Sequence, residues 1–194
     1  SPMNVTDELV HNIDDSGAKV AFVGQELFDR IQPLMDGRVA HVIVATYSDA
    51  LTGPTELTVP DAVRAPRQRF DVPGAVAWAD ALERDLAPRA PTAGADDLAA
   101  ILYTSGTTGK PKGCMHTHRT LMCTTVGAAL WETMFADSVI LSTAPMFHVT
   151  GMQHTMNAGI YAGATIAFLP RWDPSAAGYL IERYGCTHWA NVPT

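Results

Sequence analysis

Apolar positions along this chain alternate between helical and strand spacing. Residues 6–16 repeat at the helical period, with Leu9, Val10 and Ile13 on one face, Thr6-Asp7-Glu8 at the start, and Ser16-Gly17 placed to close the helix through a left-handed glycine. AKVAFVG at 18–24 reads as a strand, and QELFDRIQPLMD at 25–36 as an amphipathic helix turning Leu27, Ile31 and Leu34 inward, with Pro33 its strained position. HVIVAT at 41–46 is a β-branched strand. The opening is therefore αβαβ.

Residues 48–77 are punctuated by proline and charge and predict a long connection with no readable role. WADALERDL gives a short helix, and APRAPTAGADD at 87–97 has the composition of a linker, dividing the chain into portions 1–90 and 91–194. Beyond it the pattern predicts helices near 118–132 and 151–161 and strands at 138–144 and 164–169. A further helix is capped by Asp173 with Pro174 at its first position, and a last strand follows in CTHWANV, 186–192. Near-continuous apolar strands separated by helices predict an α/β fold of mostly parallel sheets covered on both faces.

Composition narrows the function classes. A chain of 194 residues with 47% hydrophobic content can bury a sizeable core, and its formal charge of −7 lacks the clustered Lys and Arg of a sequence-independent nucleic-acid binder. Phosphate groups must be met locally. The three cysteines have no CxxC spacing, which fits a reducing cytoplasm, and Cys114 and Cys123 read as small core residues. No apolar run reaches the roughly 20 residues of a membrane span. His116 and His118 have a spacing that can chelate a metal from a strand, but no third or fourth ligand stands near them, so no metal site is expected. Trp78, Trp131, Trp172 and Trp189 are scattered and predict no stacking array.

YTSGTTGKPKG, residues 103–113, carries the densest chemistry: four Thr or Ser hydroxyls, three glycines and two lysines directly after the apolar run LAAIL. Glycines at 106, 109 and 113 let successive N–H groups turn inward around an anion, hydroxyls add donors, and Lys110 or Lys112 can neutralise phosphate charge. On composition alone a solvated hairpin explains the stretch equally well. The glycine spacing, with Lys110 followed by Pro111, departs from the GxxxxGK[ST] pattern of phosphate-binding loops in kinases and ATPases.

In order and content the stretch closely resembles the phosphate-binding signature of the adenylate-forming enzymes, which include acyl-CoA synthetases, luciferases and peptide-synthetase adenylation domains. The resemblance implies that Thr104, Ser105, Gly106, Thr107, Thr108, Gly109 and Lys112 hold the outer phosphates of MgATP while a carboxylate attacks the α-phosphate. Acyl-AMP and pyrophosphate form, and coenzyme A then takes the acyl group. A second segment, APMFHVTGM at 144–152, resembles the family's next core motif and places Phe147, His148, Gly151 and Met152 at the acid pocket. By the same resemblance Lys112 and His148 are catalytic. Members that activate amino acids carry an aspartate where His148 stands, so the acid expected here has no α-amine. The wording IYAGATIAFLPRWDP is most similar to bacterial medium- and long-chain fatty-acid CoA ligases, with Met152, Met156 and Gly159 as candidate lining of an apolar tunnel.

Family members are more than twice this long, so the resemblance also implies an internal piece of the large N-terminal domain. The Mg²⁺ ligand, the ribose-binding aspartate and the mobile C-terminal domain would lie outside it, and the piece would be inactive by itself. A regulatory ATP-binding module, or a ligase for an aryl or other non-amino acid, are the competing readings. Strands lacking their neighbours would leave open edges and apolar faces, so the 194-residue chain is expected to form a homo-oligomer. A monomeric mass by light scattering across a wide concentration range would overturn that expectation.

Overall fold

The computed structural model describes residues 2–57, 59–104 and 111–191. The chain folds as two compact units, Ser1–Pro91 and Thr92–Thr194. Among the described residues no helix is long and apolar enough to cross a membrane.

In the first unit, α1 spans Thr6–Ser16. The Glu8 carboxylate accepts the backbone N–H of Val5 at 3.0 Å. Gly17, at φ 67°, ends the helix by donating its N–H to the Ile13 carbonyl at 2.8 Å. Strands β1 (Val20–Gly24), β2 (His41–Ala45) and β3 (Ala75–Ala77) form a parallel sheet in that order, with Val20 opposite His41 and Val42 opposite Ala75.

The single helix expected over 25–36 is instead three short turns: a 3₁₀ turn at Gln25–Leu27, α2 at Phe28–Ile31, and a second 3₁₀ turn at Gln32–Met35. Pro33 has no N–H to donate and its ring excludes the regular helical path, so the last turn tightens. Ile31 and Leu34 turn inward as expected, but the break puts Phe28 in the core in place of Leu27. Phe28, Ile31 and Leu34 pack with Val39, Val42 and Val44 into the unit's core.

The opposite face of this sheet departs from the expected double cover. Phe22 is 68% exposed, with Trp78 edge-on at 5.8 Å. The helix that follows β3, α4 (Trp78–Glu83), is only six residues long and too short to shield that face.

The proline-rich connection includes α3 (Asp61–Arg64) and is tied down by one buried side chain. Gln25 is 4% exposed; its Oε1 accepts the Thr46 hydroxyl at 3.1 Å and the Gln68 N–H at 3.0 Å, and its Nε2 donates to the Pro66 carbonyl at 3.1 Å. Arg67 forks onto Asp49 at 3.2 and 2.9 Å, and Phe70 packs against Phe28 with ring centroids 4.2 Å apart.

In the second unit, β4 (Leu98–Thr104) and β5 (Lys112–Thr117) form an antiparallel hairpin, followed directly by α5 (His118–Trp131). Thr117 caps α5 by accepting the Thr120 N–H at 3.2 Å. Strands β6 (Val139–Ser142) and β7 (Thr165–Phe168) pair in parallel. Between them runs one helical stretch, π-helical over Gly151–Asn157 and continuing as α6 (Ala158–Ala162). The Asp173 carboxylate caps α7 (Pro174–Tyr184) at 2.7 Å from the Ala176 N–H.

Several expectations change here. Of the strand expected over 186–192, the described residues form only a bridge between Ile140 and His188, in which the Leu141 N–H donates to the His188 carbonyl and the Thr187 N–H to the Val139 carbonyl, each at 2.8 Å; Thr187 Oγ1 also accepts the Val139 N–H at 3.0 Å, and Trp189 Nε1 donates to Thr143 Oγ1 at 2.9 Å. Trp172 and Trp189 do stack, 5.8 Å apart with 19° between their planes. Cys114 and Cys123 are exposed, not core residues; Cys114 lies in a two-stranded hairpin, which cannot cover both faces of each strand. Gly159 faces the sheet: a Cβ there would lie 2.9 Å from Ile140 Cδ1 and 3.0 Å from Ile166 Cδ1, so it belongs to the core that Ala128, Ala129, Met134, Ile140 and Ala158 build. The α/β class holds, with parallel sheets flanked by helices and one antiparallel hairpin added.

Replacing Gln25 by Ala strands the Thr46 hydroxyl, the Gln68 N–H and the Pro66 carbonyl. Urea unfolding is expected to show a loss of about 3 kcal/mol. A loss below about 0.5 kcal/mol would mean that this side chain does not hold the connection.

Candidate functional site

The phosphate-loop residues are carried on the β4–β5 hairpin. Thr104 and Lys112 are register partners at its loop end, with the Thr104 hydroxyl 3.5 Å from the Lys112 carbonyl, and both side chains are exposed. Ser105, Gly106, Thr107, Thr108 and Gly109 lie outside the described residues. Gly113 has a packing reason distinct from anion binding: a Cβ there would sit 2.6 Å from Ile101 Cγ2 and 3.2 Å from the Tyr103 ring. Strand pairing thus brings a hydroxyl and a cation to the two ends of a seven-residue connection, which suits a phosphate-rich ligand.

At the far end of the hairpin, Arg119 forks onto Asp96 at 2.7 and 2.9 Å, and its backbone N–H reaches the Ala95 carbonyl at 2.8 Å. The hydrogen bond from the Arg119 guanidinium holds the Asp96 carboxyl below its usual range. His118 opens α5, and its N–H donates to the Asp97 carbonyl at 3.2 Å. His116 stands on β5, and no cluster of three or more His, Cys, Asp or Glu suited to a metal ion occurs among the described residues.

The second group stands beyond the carboxyl end of β6, a usual place for ligands in open α/β sheets. Here Phe147, His148, Gly151 and Met152 are gathered into one compact turn. The His148 N–H donates to the Pro145 carbonyl at 3.0 Å, and the Met152 N–H to the His148 carbonyl at 3.0 Å. The Thr150 N–H donates to His148 Nδ1 at 3.2 Å. A backbone N–H can only donate, so Nδ1 accepts, and the neutral imidazole carries its proton on Nε2. Phe147 is 53% exposed and His148 is exposed as well.

Gly151 makes this turn possible. A Cβ at that position would lie 2.3 Å from the Pro145 carbonyl oxygen and 2.6 Å from that of Ala144, closer than real atoms approach. After it the backbone enters the π-helix, with Met152 and Met156 half-buried.

Sequence reading missed the polar network behind this segment. Gln153, 2% exposed, accepts from Thr125 Oγ1 at 3.3 Å and from Asn157 Nδ2 at 2.5 Å, and donates to the Leu121 carbonyl at 3.2 Å. His154 Nδ1 lies 2.7 Å from the Glu132 carboxylate. The only signal in the sequence is the run of polar residues Gln153, His154 and Thr155 inside an otherwise apolar helix.

A model of the AMP-binding enzyme family matches residues 1–194. The chain belongs to the AMP-binding enzyme family. This AMP-binding enzyme chain is 38% identical over 128 residues to an indoleacetate–CoA ligase of Aromatoleum aromaticum, covering 64% of this chain and 25% of the relative. It is 35% identical over 100 residues to a long-chain-fatty-acid–CoA ligase of Bacillus subtilis, covering 50% and 18% respectively. Among solved structures it is similar to apo MbtA of Mycobacterium smegmatis, with a TM-score of 0.71 and 27% identity over 99% of this chain and 33% of that one. It is also similar to ATP-bound MatB from Rhodopseudomonas palustris, with a TM-score of 0.63 and 26% identity over 93% and 31%. The chain thus spans between 18% and 25% of these two curated relatives.

Changing Gly151 to Ala forces the backbone away from two carbonyl oxygens. Thermal unfolding is expected to show a loss of about 3 kcal/mol, with amide chemical-shift changes centred on residues 144–152. A variant of native stability with unchanged shifts would contradict the close approach.

Proposed function

We propose that this chain supplies the phosphate grip and one wall of the acid pocket of an ATP-dependent acid–CoA ligase. The observation that carries the reading is the pairing of Thr104 with Lys112 at the loop end of the hairpin, in a chain whose family match runs its whole length. In the overall reaction a carboxylate displaces pyrophosphate from ATP, giving acyl-AMP, and the coenzyme A thiol then displaces AMP. The chain's own part is mainly electrostatic. Thr104 and the hydroxyls and N–H groups of Ser105, Gly106, Thr107, Thr108 and Gly109 donate to the β- and γ-phosphates, and the Lys112 ammonium offsets charge that grows on the departing pyrophosphate.

His148 acts beside the carboxylate as a donor through Nε2–H, oriented by the Thr150 N–H at Nδ1. Phe147, Gly151 and Met152 shape the pocket wall. A neutral imidazole offers no fixed countercharge to an ammonium group, so the acid has no α-amine. Its class is a medium- or long-chain fatty acid, supported by the Bacillus relative and by half-buried Met152 and Met156. The name of the Aromatoleum relative supports an aryl acid as the second reading. Mg²⁺ is held by residues outside this chain, and the cytoplasm is the setting that three free cysteines fit, which cell fractionation would check.

The parent protein is expected to exchange labelled pyrophosphate into ATP in the presence of decanoate, and Lys112→Ala to lower the rate by about 100-fold or more. The 194 residues alone are expected to give no exchange. Faster exchange with amino acids than with decanoate or cinnamate would overturn the substrate class, and γ-phosphate transfer without AMP production would overturn the reaction.

A further inference from the structure

Seven successive residues in π-helical form, Gly151–Asn157, exceed the single turn usual for this geometry, and such a segment persists where its surroundings hold it. Gly151 anchors the start under two carbonyl groups, and Gln153 anchors the buried side through Thr125, Leu121 and Asn157. Neither reaches the outward part of the turn. Thr155 gives no help: its hydroxyl oxygen is buried and has no hydrogen-bond partner.

His154 is the remaining hold. Its Nδ1 lies 2.7 Å from Glu132 Oε1, and Glu132 is the residue that ends α5. A carboxylate is poorly placed there, because the carboxyl end of a helix already carries partial negative charge. A donor that answers the charge gives the residue a reason for its place. The same residue's carbonyl accepts His188 Nε2 at 2.9 Å, and the next residue, Thr133, has φ 56°, a left-handed conformation uncommon for a β-branched side chain. The end of α5 is therefore held in one specific shape, with Glu132 gripped from two directions.

We infer that Glu132 and His154 form a latch that keeps Gly151–Asn157 in its π-helical register and so fixes where Met152 and Met156 present their side chains. Both are positioning residues. The importance of those methionines rests on the proposed acid pocket, but the latch itself does not. With the latch open, the Ala158 N–H, which is shared between the Gln153 and Thr155 carbonyls, is free to take the His154 carbonyl in ordinary α-helical register. Met152 and Met156 then turn about the helix axis relative to the fixed Gly151.

Amide hydrogen exchange on the 194-residue chain and its Glu132→Ala, Glu132→Gln and His154→Ala variants tests this. Glu132→Ala and His154→Ala are expected to raise exchange within 151–158 by about tenfold, while Ile140 and Leu141 in β6 stay at the wild-type rate. Glu132→Gln, which keeps an acceptor for the ring N–H, is expected to remain within about threefold of wild type. The ¹³C-methyl resonances of Met152 and Met156 should move in both alanine variants without any ligand. His154→Ala is made at a partly exposed side chain and reads the latch even where Glu132→Ala fails to fold. Unchanged exchange over 151–158 overturns the inference, as does an equal rise through β6 and α5 or a Gln variant that behaves like Ala. Decanoate titration of the wild-type methyls is a separate measurement: an absent response counts against the acid pocket and leaves the exchange result to decide the latch.

Discussion

At Gly151 the start of a helix lies against the carbonyl groups of Ala144 and Pro145, in space where no side chain fits. The course of the chain between β6 and β7 follows from that contact. It bends the chain sharply after β6, so Phe147 and His148 stand on a tight turn beyond the strand's carboxyl end. It also fixes where the helix starts, and further along that helix Gln153 enters the core and Gly159 meets Ile140 and Ile166. Gly159 allows the helix to lie close over β6 and β7, and without that approach the sheet would lose the cover that buries Ile140.

The hairpin obeys a different constraint. Antiparallel pairing places the Thr104 hydroxyl opposite Lys112 with both side chains exposed, which is what the proposed phosphate grip requires: donors and a cation together without buried charge. The Asp96–Arg119 fork and the Thr117 cap fasten the hairpin to the start of α5 at the other end. Rigid anchoring at one end and exposed polar groups at the other is a division suited to holding phosphates, since preorganised donors need no rearrangement when charge develops.

Much of this was legible in the sequence. Period-two and helical spacing placed β1, β2, β6, β7 and α7 within a residue or two, and glycine or aspartate marked their caps, because those signals are local. The ordered string at 103–113 and the Phe-His turn carried the family, which the match over residues 1–194 bears out. Less was legible where neighbours distant in sequence decide the outcome. Pro33 broke a helix of which Ile31 and Leu34 nonetheless remained inward. Cys114 and Cys123 looked like core residues, yet Cys114 lies in a hairpin of two strands with too few neighbours to bury it, and Cys123 lies on an exposed face of α5. Trp172 and Trp189 stack only because the chain returns past β6.

The sequence alone determined the α/β alternation, the caps, the polar loop and its relation to adenylate-forming enzymes, since each is written in adjacent residues. Tertiary structure decided that Gln25 would hold a connection forty residues away, that Gly159 would serve the core instead of a tunnel, and that Glu132 would meet His154. The physical reason is common to all three. A side chain's role is set by the partner that replaces its water, and for these residues that partner comes from a part of the chain whose position only packing fixes.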